Sequence, residues 1–173
     1  MHTRIFLLGF MGSGKTFWAR HLSRALDLPL IELDEEIVRQ EEQSISEIFS
    51  SRGEAYFREL EHAKLVEAMQ RDMFVLSTGG GLPCYFDHMD LMNRSGLTLW
   101  LNASVPAMVS RLKKGRERRP LIKDLDDEGL ASFVAAKLEA RRPFYEKAHL
   151  TVDPSVETVE SFIVKIKSCK SPI

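Results

Sequence analysis

Residues Gly9-Phe10-Met11-Gly12-Ser13-Gly14-Lys15-Thr16 fit the spacing G-x-x-x-x-G-K-[ST]. A loop of this pattern turns backbone N–H groups inward around an anion, and its glycines permit the wrap. The helix expected to follow adds the partial positive charge of its N-terminus. The chemistry implied is the holding of a nucleotide triphosphate. Gly12, Ser13 and Gly14 cradle the phosphates, Lys15 reaches the β- and γ-phosphates, and the Thr16 hydroxyl ligates Mg²⁺.

Other residue groups carry chemistry more ambiguously. Glu32 and Asp34 close the second apolar run, where a carboxylate can orient a hydroxyl nucleophile, accept its proton or hold waters around Mg²⁺. Asp34 can equally cap the helix that follows. Arg58 has Glu54 at i−4 and Glu61 at i+3, the spacing of weak surface ion pairs, so spacing alone makes it structural. Arg141 and Arg142, before Pro143, are open in the same way. Ser77-Thr78-Gly79-Gly80-Gly81 follows a third apolar run. Three glycines there allow close backbone approach to a ligand and offer N–H groups to an anion. Cys84 beyond them reads as a small hydrophobe. From Arg111 to Arg119 there are six basic residues and one acid, whereas acids exceed bases elsewhere. A flap folding over triphosphate explains that run. Nucleic acid explains it less well, because no aromatics interleave, and a solvated surface is the remaining alternative. His2, His21, His62, His88 and His149 form no ligand pair at helical spacing and are given no role.

The elements that must position these groups follow from hydrophobic pattern. Apolar runs at 4–8, 30–33, 73–77, 97–101 and 149–152 alternate with helix-length segments, which predicts a parallel sheet covered on both faces. Ala19, Leu22 and Leu26 form one helical stripe after the glycine loop. The long gap between the second and third runs predicts several helices. Ser44 is an N-cap with Glu47 completing a capping box, Gly53 stops that helix, and another runs from about Glu54 to Gln70. An insertion beside the phosphate loop, about 34–62, is a natural place for a second substrate. Val156, Val159, Ile163 and Ile166 predict a core-facing C-terminal helix.

Composition narrows the class. At 173 residues, 44% hydrophobic and 28% charged, the chain suits one globular domain, and a net charge of −1 gives no global field for nucleic acid or membrane. Cys84 and Cys169 have neither disulfide framework nor metal spacing. No signal-type start and no span-length apolar run is visible, so the expectation is a cytoplasmic protein with no membrane or nucleic-acid partner; a monomer is expected as well.

Together these pieces resemble the shikimate kinases, from Arg4 to about Val152 and in order. The likeness rests on the loop Gly9 to Thr16, the acid pair ending at Asp34, and Gly53-Glu54-x-x-Phe57-Arg58-x-x-Glu61. It continues through Gly79-Gly80-Gly81, Arg119-Pro120-Leu121 and Arg141-x-Pro143-x-Tyr145. The resemblance implies a single α/β domain, residues 1–173, of the nucleoside-monophosphate-kinase type, with a five-stranded parallel sheet and a lid at about 111–125. It implies transfer of the γ-phosphoryl of ATP to the 3-hydroxyl of shikimate with Mg²⁺. Asp34 would be base or orienting group, Arg58 and Arg141 would hold the carboxylate, and Gly80 and Gly81 would line the pocket. Arg119 would meet the transferring group, Arg111 would stack on adenine, and Ser77 and Glu32 would hold metal-bound water. Relatives often carry Asp where Glu32 stands and a hydroxyl residue where Phe17 stands. The rivals are a kinase for gluconate or a nucleoside monophosphate, and a nucleotide-dependent switch. Asn-Lys-x-Asp, the usual guanine signature of such a switch, is absent.

Overall fold

The computed structural model describes residues 2–116, 119 and 121–169. The apolar runs become strands β1 (Arg4–Leu8), β2 (Leu30–Glu32), β3 (Phe74–Ser77), β4 (Leu97–Leu101) and β5 (Leu150–Val152). All pair in parallel in the order β2-β3-β1-β4-β5. Continuous apolar runs suit such a sheet because its inner strands are buried on both faces, as every residue of β3 and β4 is here. The helices are α1 (Lys15–Leu26), α2 (Leu33–Glu41), α3 (Ile45–Ala68), α4 (His88–Ser95), α5 (Val105–Lys113), α6 (Asp127–Tyr145) and α7 (Val159–Ser168).

Alternation along β1 divides the core. Phe6 and Leu8 pack on one face with residues of α3, α5 and α6, while Ile5 and Leu7 pack on the other with α1 and α7. On that second face Trp18 stacks on Phe162 with ring centroids 4.8 Å apart. Fully burying each such side chain stabilises by about 1.5–3 kcal/mol, so β1 cannot slip without exposing several of them. Its C-terminal end is therefore fixed, together with the loops that leave β1, β2 and β3 on the same edge, where open α/β sheets bind ligands.

Several boundaries differ from the pattern. β2 ends at Glu32, because Leu33 already opens α2 and is buried there. β3 starts at Phe74, since Met73 is nearly half exposed. Ser44 and Glu47 do form a capping box, and Gly53 does break the helical path at φ 82, ψ 172. Helix resumes at once, so Ile45–Ala68 is one kinked element. The C-terminal stripe needs correction. Thr158 caps α7, Val156 lies outside it and is 76% exposed, and Phe162 with Ile166 carries the buried face. Among the described residues, no helix is long and apolar enough to cross a membrane.

Candidate active site

The chain leaves β1 and enters the glycine loop directly. Gly12 and Gly14 take φ 78 and 99, left-handed values that a side chain would strain. Ser13 N–H donates to the Phe10 carbonyl at 3.1 Å, closing the loop just before α1 begins at Lys15. Lys15 Nζ donates to the carbonyls of Gly9 (2.8 Å) and Phe10 (3.1 Å). Burial pushes its ammonium down to about 8, against the opposing charge of Asp34. The Ser13 hydroxyl is buried without a partner among the described residues, and Thr16 is exposed. A cleft of about 570 Å³ opens here, with Lys15, Arg20, Arg24 and Arg111 among its walls. Arg111 reaches across from α5 to donate to the Gly12 carbonyl at 2.8 Å. A neighbouring cleft of about 600 Å³ runs on past Arg111 to Pro154 and Thr158.

The second half of the site gathers at the glycines after β3. Thr78 donates through both its N–H and its hydroxyl to the Leu7 carbonyl, at 3.0 and 3.1 Å, tying this loop to β1. A Cβ on Gly79 would lie 3.0 Å from Asp34 Oδ1 and collide with Glu61 Oε1. Both oxygens are buried and lack a hydrogen-bond partner among the described residues. Asp34 sits in the first turn of α2, where Glu32 occupies the N-cap position with no side-chain cap bond. Asp34 is therefore not spent on capping. Burial raises its carboxyl, with the charges of Lys15 and Arg58 opposing. Burial also pushes the Glu61 carboxyl up to about 7, although its other oxygen accepts from Arg58 Nη1 at 2.5 Å.

Two cations frame these acids. Arg58 is buried and bonds both Glu54 and Glu61, and a Cβ on Gly81 would lie 2.6 Å from its Nη1. Arg141 Nη1 would be 3.3 Å from a Cβ on Gly80, and its guanidinium lies 5.1 Å from the centre of the Phe10 ring. Ion pairs among the described residues engage Arg142, with Glu139 and Glu146, but leave Arg141 without one. One turn after Arg141 on the same face of α6, the Tyr145 hydroxyl donates to the Gly80 carbonyl at 2.5 Å. Of the Arg141-Arg142 pair, it is Arg141 whose guanidinium lies beside Gly80 and Phe10.

Three expected residues are placed differently from the others. Both oxygens of Glu32 accept from Arg20, at 3.1 and 2.8 Å, so only residual lone pairs can meet a metal-bound water. Ser77 is buried as the last residue of β3, beside Glu32 in the register. Arg119 is exposed and donates to the carbonyls of Lys114 (3.1 Å) and Gly115 (3.0 Å), its own loop. Arg118 and Pro120, also part of the expected flap, lie outside the described residues.

Sequence spacing missed one pair. His88, fully buried, places Nδ1 2.9 Å from the Leu82 carbonyl and Nε2 2.9 Å from His62 Nδ1. The carbonyl accepts, so His88 Nδ1 carries a proton and its Nε2 accepts from His62. Burial lowers the His88 pKa, consistent with a neutral ring. The two residues stand on different helices, beyond any single-helix pattern.

Comparison with known proteins agrees along nearly the whole chain. A family model described as "Shikimate kinase" matches residues 11–169. The shikimate kinase of Parabacteroides distasonis is 41% identical over 165 residues, 95% of each chain. A solved shikimate kinase from Bacteroides thetaiotaomicron superposes with TM-score 0.89 at 37% identity, covering 96% of this chain and 97% of that one. The shikimate kinase of Acinetobacter baumannii, solved in complex with shikimate, gives TM-score 0.84 at 30% identity, covering 95% and 90%.

Proposed function

Since this chain belongs to the shikimate kinase family and phosphorylates shikimate with ATP as co-substrate, we propose that its reaction centre is the pocket between Lys15, Asp34 and Gly79. The observation that carries this reading is the pair of buried, unpartnered oxygens, Asp34 Oδ1 and Glu61 Oε1, converging on Gly79. Buried acceptors without donors are costly, and the hydroxyls of a small polyol satisfy them. Asp34 orients the 3-hydroxyl and accepts its proton as the bond to phosphorus forms, and burial raises its basicity for that task. Arg58 and Arg141 hold the substrate carboxylate, and Gly80 and Gly81 let both guanidinium groups come close.

On the donor side, Lys15 leaves its carbonyl partners to meet the β- and γ-phosphates, and Gly12, Ser13 and Gly14 give backbone N–H groups. Arg111 and Pro154 flank the cleft that receives the nucleobase. The segment 111–125 acts as a lid over the core, with the acceptor insertion at 34–62. Its closure requires Arg119 to exchange its own loop's carbonyls for the phosphoryl oxygens. The oxygen donors at the loop suit Mg²⁺. Thr16 is exposed at the start of α1, and Ser77 stands near Glu32 for contacts through water. Held there, a divalent cation would supply positive charge against the phosphates during the transfer. We further propose that the enzyme works as a cytoplasmic monomer.

The test pairs substrate selection with the base. With MgATP and a panel of shikimate, quinate, gluconate, AMP and no acceptor, ADP release is expected with shikimate alone. Asp34→Asn keeps size but loses the charge that draws the proton, so kcat should fall about 10²–10⁴-fold. Activity within a few-fold of the unaltered enzyme would remove Asp34 from the chemistry.

A further inference from the structure

Arg58 has five N–H donors in a planar fork. Three are consumed within the protein: Nε and Nη2 donate to Glu54 Oε1 at 3.2 and 2.7 Å, and Nη1 donates to Glu61 at 2.5 Å. One hydrogen remains on each terminal nitrogen, free to meet a carboxylate. Buried Glu61 holds one nitrogen of the fork, but the other edge depends on Glu54, which cannot hold it alone. Its side chain is 53% exposed, and a surface i,i+4 pair is weak and mobile.

The missing restraint comes from the turn after the triple glycine. The Tyr85 hydroxyl donates to the same Glu54 Oε1 at 3.0 Å, and the Arg58 guanidinium lies over the Tyr85 ring, 4.5 Å from its centre. One side chain therefore holds both members of the ion pair. Tyr85 is itself 38% exposed, so it is no core residue kept for burial. The backbone beyond it is unusual. Phe86 and Asp87 both take left-handed φ, 50 and 52, and His88 N–H donates to the Tyr85 carbonyl at 2.9 Å. Successive non-glycine residues in that region are strained, and the surrounding structure must over-determine them. The buried His88, bonded to Leu82, anchors the turn that does so.

We propose that Tyr85 is a positioning residue for shikimate, its ring and hydroxyl together fixing the Arg58–Glu54 pair so that two guanidinium hydrogens point at the substrate carboxylate. This rests on the assignment of Arg58 to that carboxylate. The experiment measures kcat and both KM values for Tyr85→Phe and Tyr85→Leu, each alone and combined with Arg58→Met. Losing the hydroxyl should raise the shikimate KM about three- to tenfold. Losing hydroxyl and ring should raise it by tenfold or more, with phenylalanine a partial rescue. The ATP KM and kcat should stay within about twofold, because neither group touches nucleotide or reacting atoms. With Arg58→Met present, neither Tyr85 change should add further loss. An unchanged shikimate KM in folded Tyr85→Leu would overturn the proposal. Equal rises in both KM values would do the same, as would undiminished Tyr85 effects beside Arg58→Met. If Arg58→Met itself spares the shikimate KM, the carboxylate assignment falls first, and the single variants reveal that separately.

Discussion

Gly81→Ala is the sharpest perturbation of the acceptor pocket, because it changes sterics alone. Gly81 has φ −89 and ψ −24, a conformation that alanine adopts without strain. Its new methyl would lie 2.6, 2.7 and 2.8 Å from Nη1, Nη2 and Cζ of Arg58. Ordinary contact for such atoms is about 3.5 Å, so the guanidinium must retreat by roughly 0.7–0.9 Å. A free arginine would swing aside at little cost. This one is bonded to Glu54 and Glu61, and its retreat drags both or breaks one bond. Misplacing a positioning group by about 1 Å can cost on the order of 10² in rate. A loss of about 10–10² in kcat/KM for shikimate is therefore expected, mostly in KM, with the ATP KM unchanged. Melting temperature should move by only a few degrees, since Arg58 sits at the pocket wall and not in the apolar core. Initial-rate kinetics at varied shikimate, with a thermal melt, decides the matter. A folded Gly81→Ala enzyme with shikimate kcat/KM within threefold of the original would refute the idea that Arg58 is held rigidly against that backbone.

Two further outcomes concern the nucleotide side. Burial disfavours the charge of Lys15 in the free site and pushes its ammonium down to about 8. Triphosphate binds the charged form, so kcat/KM for ATP should fall about tenfold per pH unit above about 8, while kcat stays level to higher pH because bound phosphate restores the charge; a profile flat to pH 9.5 would contradict this. For Arg119, lysine keeps charge but loses the planar fork, so Arg119→Lys should lower kcat by about 10³ or more with little change in ATP affinity. A near-normal Arg119→Lys enzyme would make the basic segment an ordinary solvated loop.

The sequence made some parts of this molecule plain for a physical reason. The phosphate loop is encoded locally. Its glycine positions, its lysine and the flanking strand and helix fall within about twenty-five consecutive residues, and a period of two or 3.6 identifies each neighbour. The sheet was legible because buried parallel strands are unbroken apolar runs. Errors fell at the edges. Thr158 caps α7 more strongly than Val156 can extend it, and Leu33 satisfies strand and helix patterns equally. Arg58 shows where spacing misleads. Its pairs with Glu54 and Glu61 are real, as the i−4 and i+3 spacing says, yet they are the mounting of a side chain buried at a pocket. Nothing in the local pattern distinguishes that from a surface pair, because burial is set by Gly79 to Gly81 arriving from elsewhere in the chain.

The proposed acceptor pocket could not be read locally, since its parts come from residues 34, 58, 61, 79–81 and 141 and meet only in the fold. What joins them is electrostatic. Burial pushes Lys15 down to about 8 and Glu61 up to about 7, and it raises Asp34, so desolvation drives both signs of charge toward neutrality. The free site is thus only partly satisfied: among the described residues, Asp34 Oδ1 and Glu61 Oε1 have no hydrogen-bond partner. In the proposed site, triphosphate supplies an anion for Lys15, and substrate hydroxyls supply donors for Asp34 and Glu61. Each ligand restores charge to the side chain that faces it. Asp34 feels both influences, because burial raises its basicity while the two cations, Lys15 and Arg58, oppose that rise. A base on the exposed face of α2 would have neither influence. Its place in the first turn, facing Gly79 and free of the cap, gives the carboxylate both the raised basicity and the position that the proposed role requires.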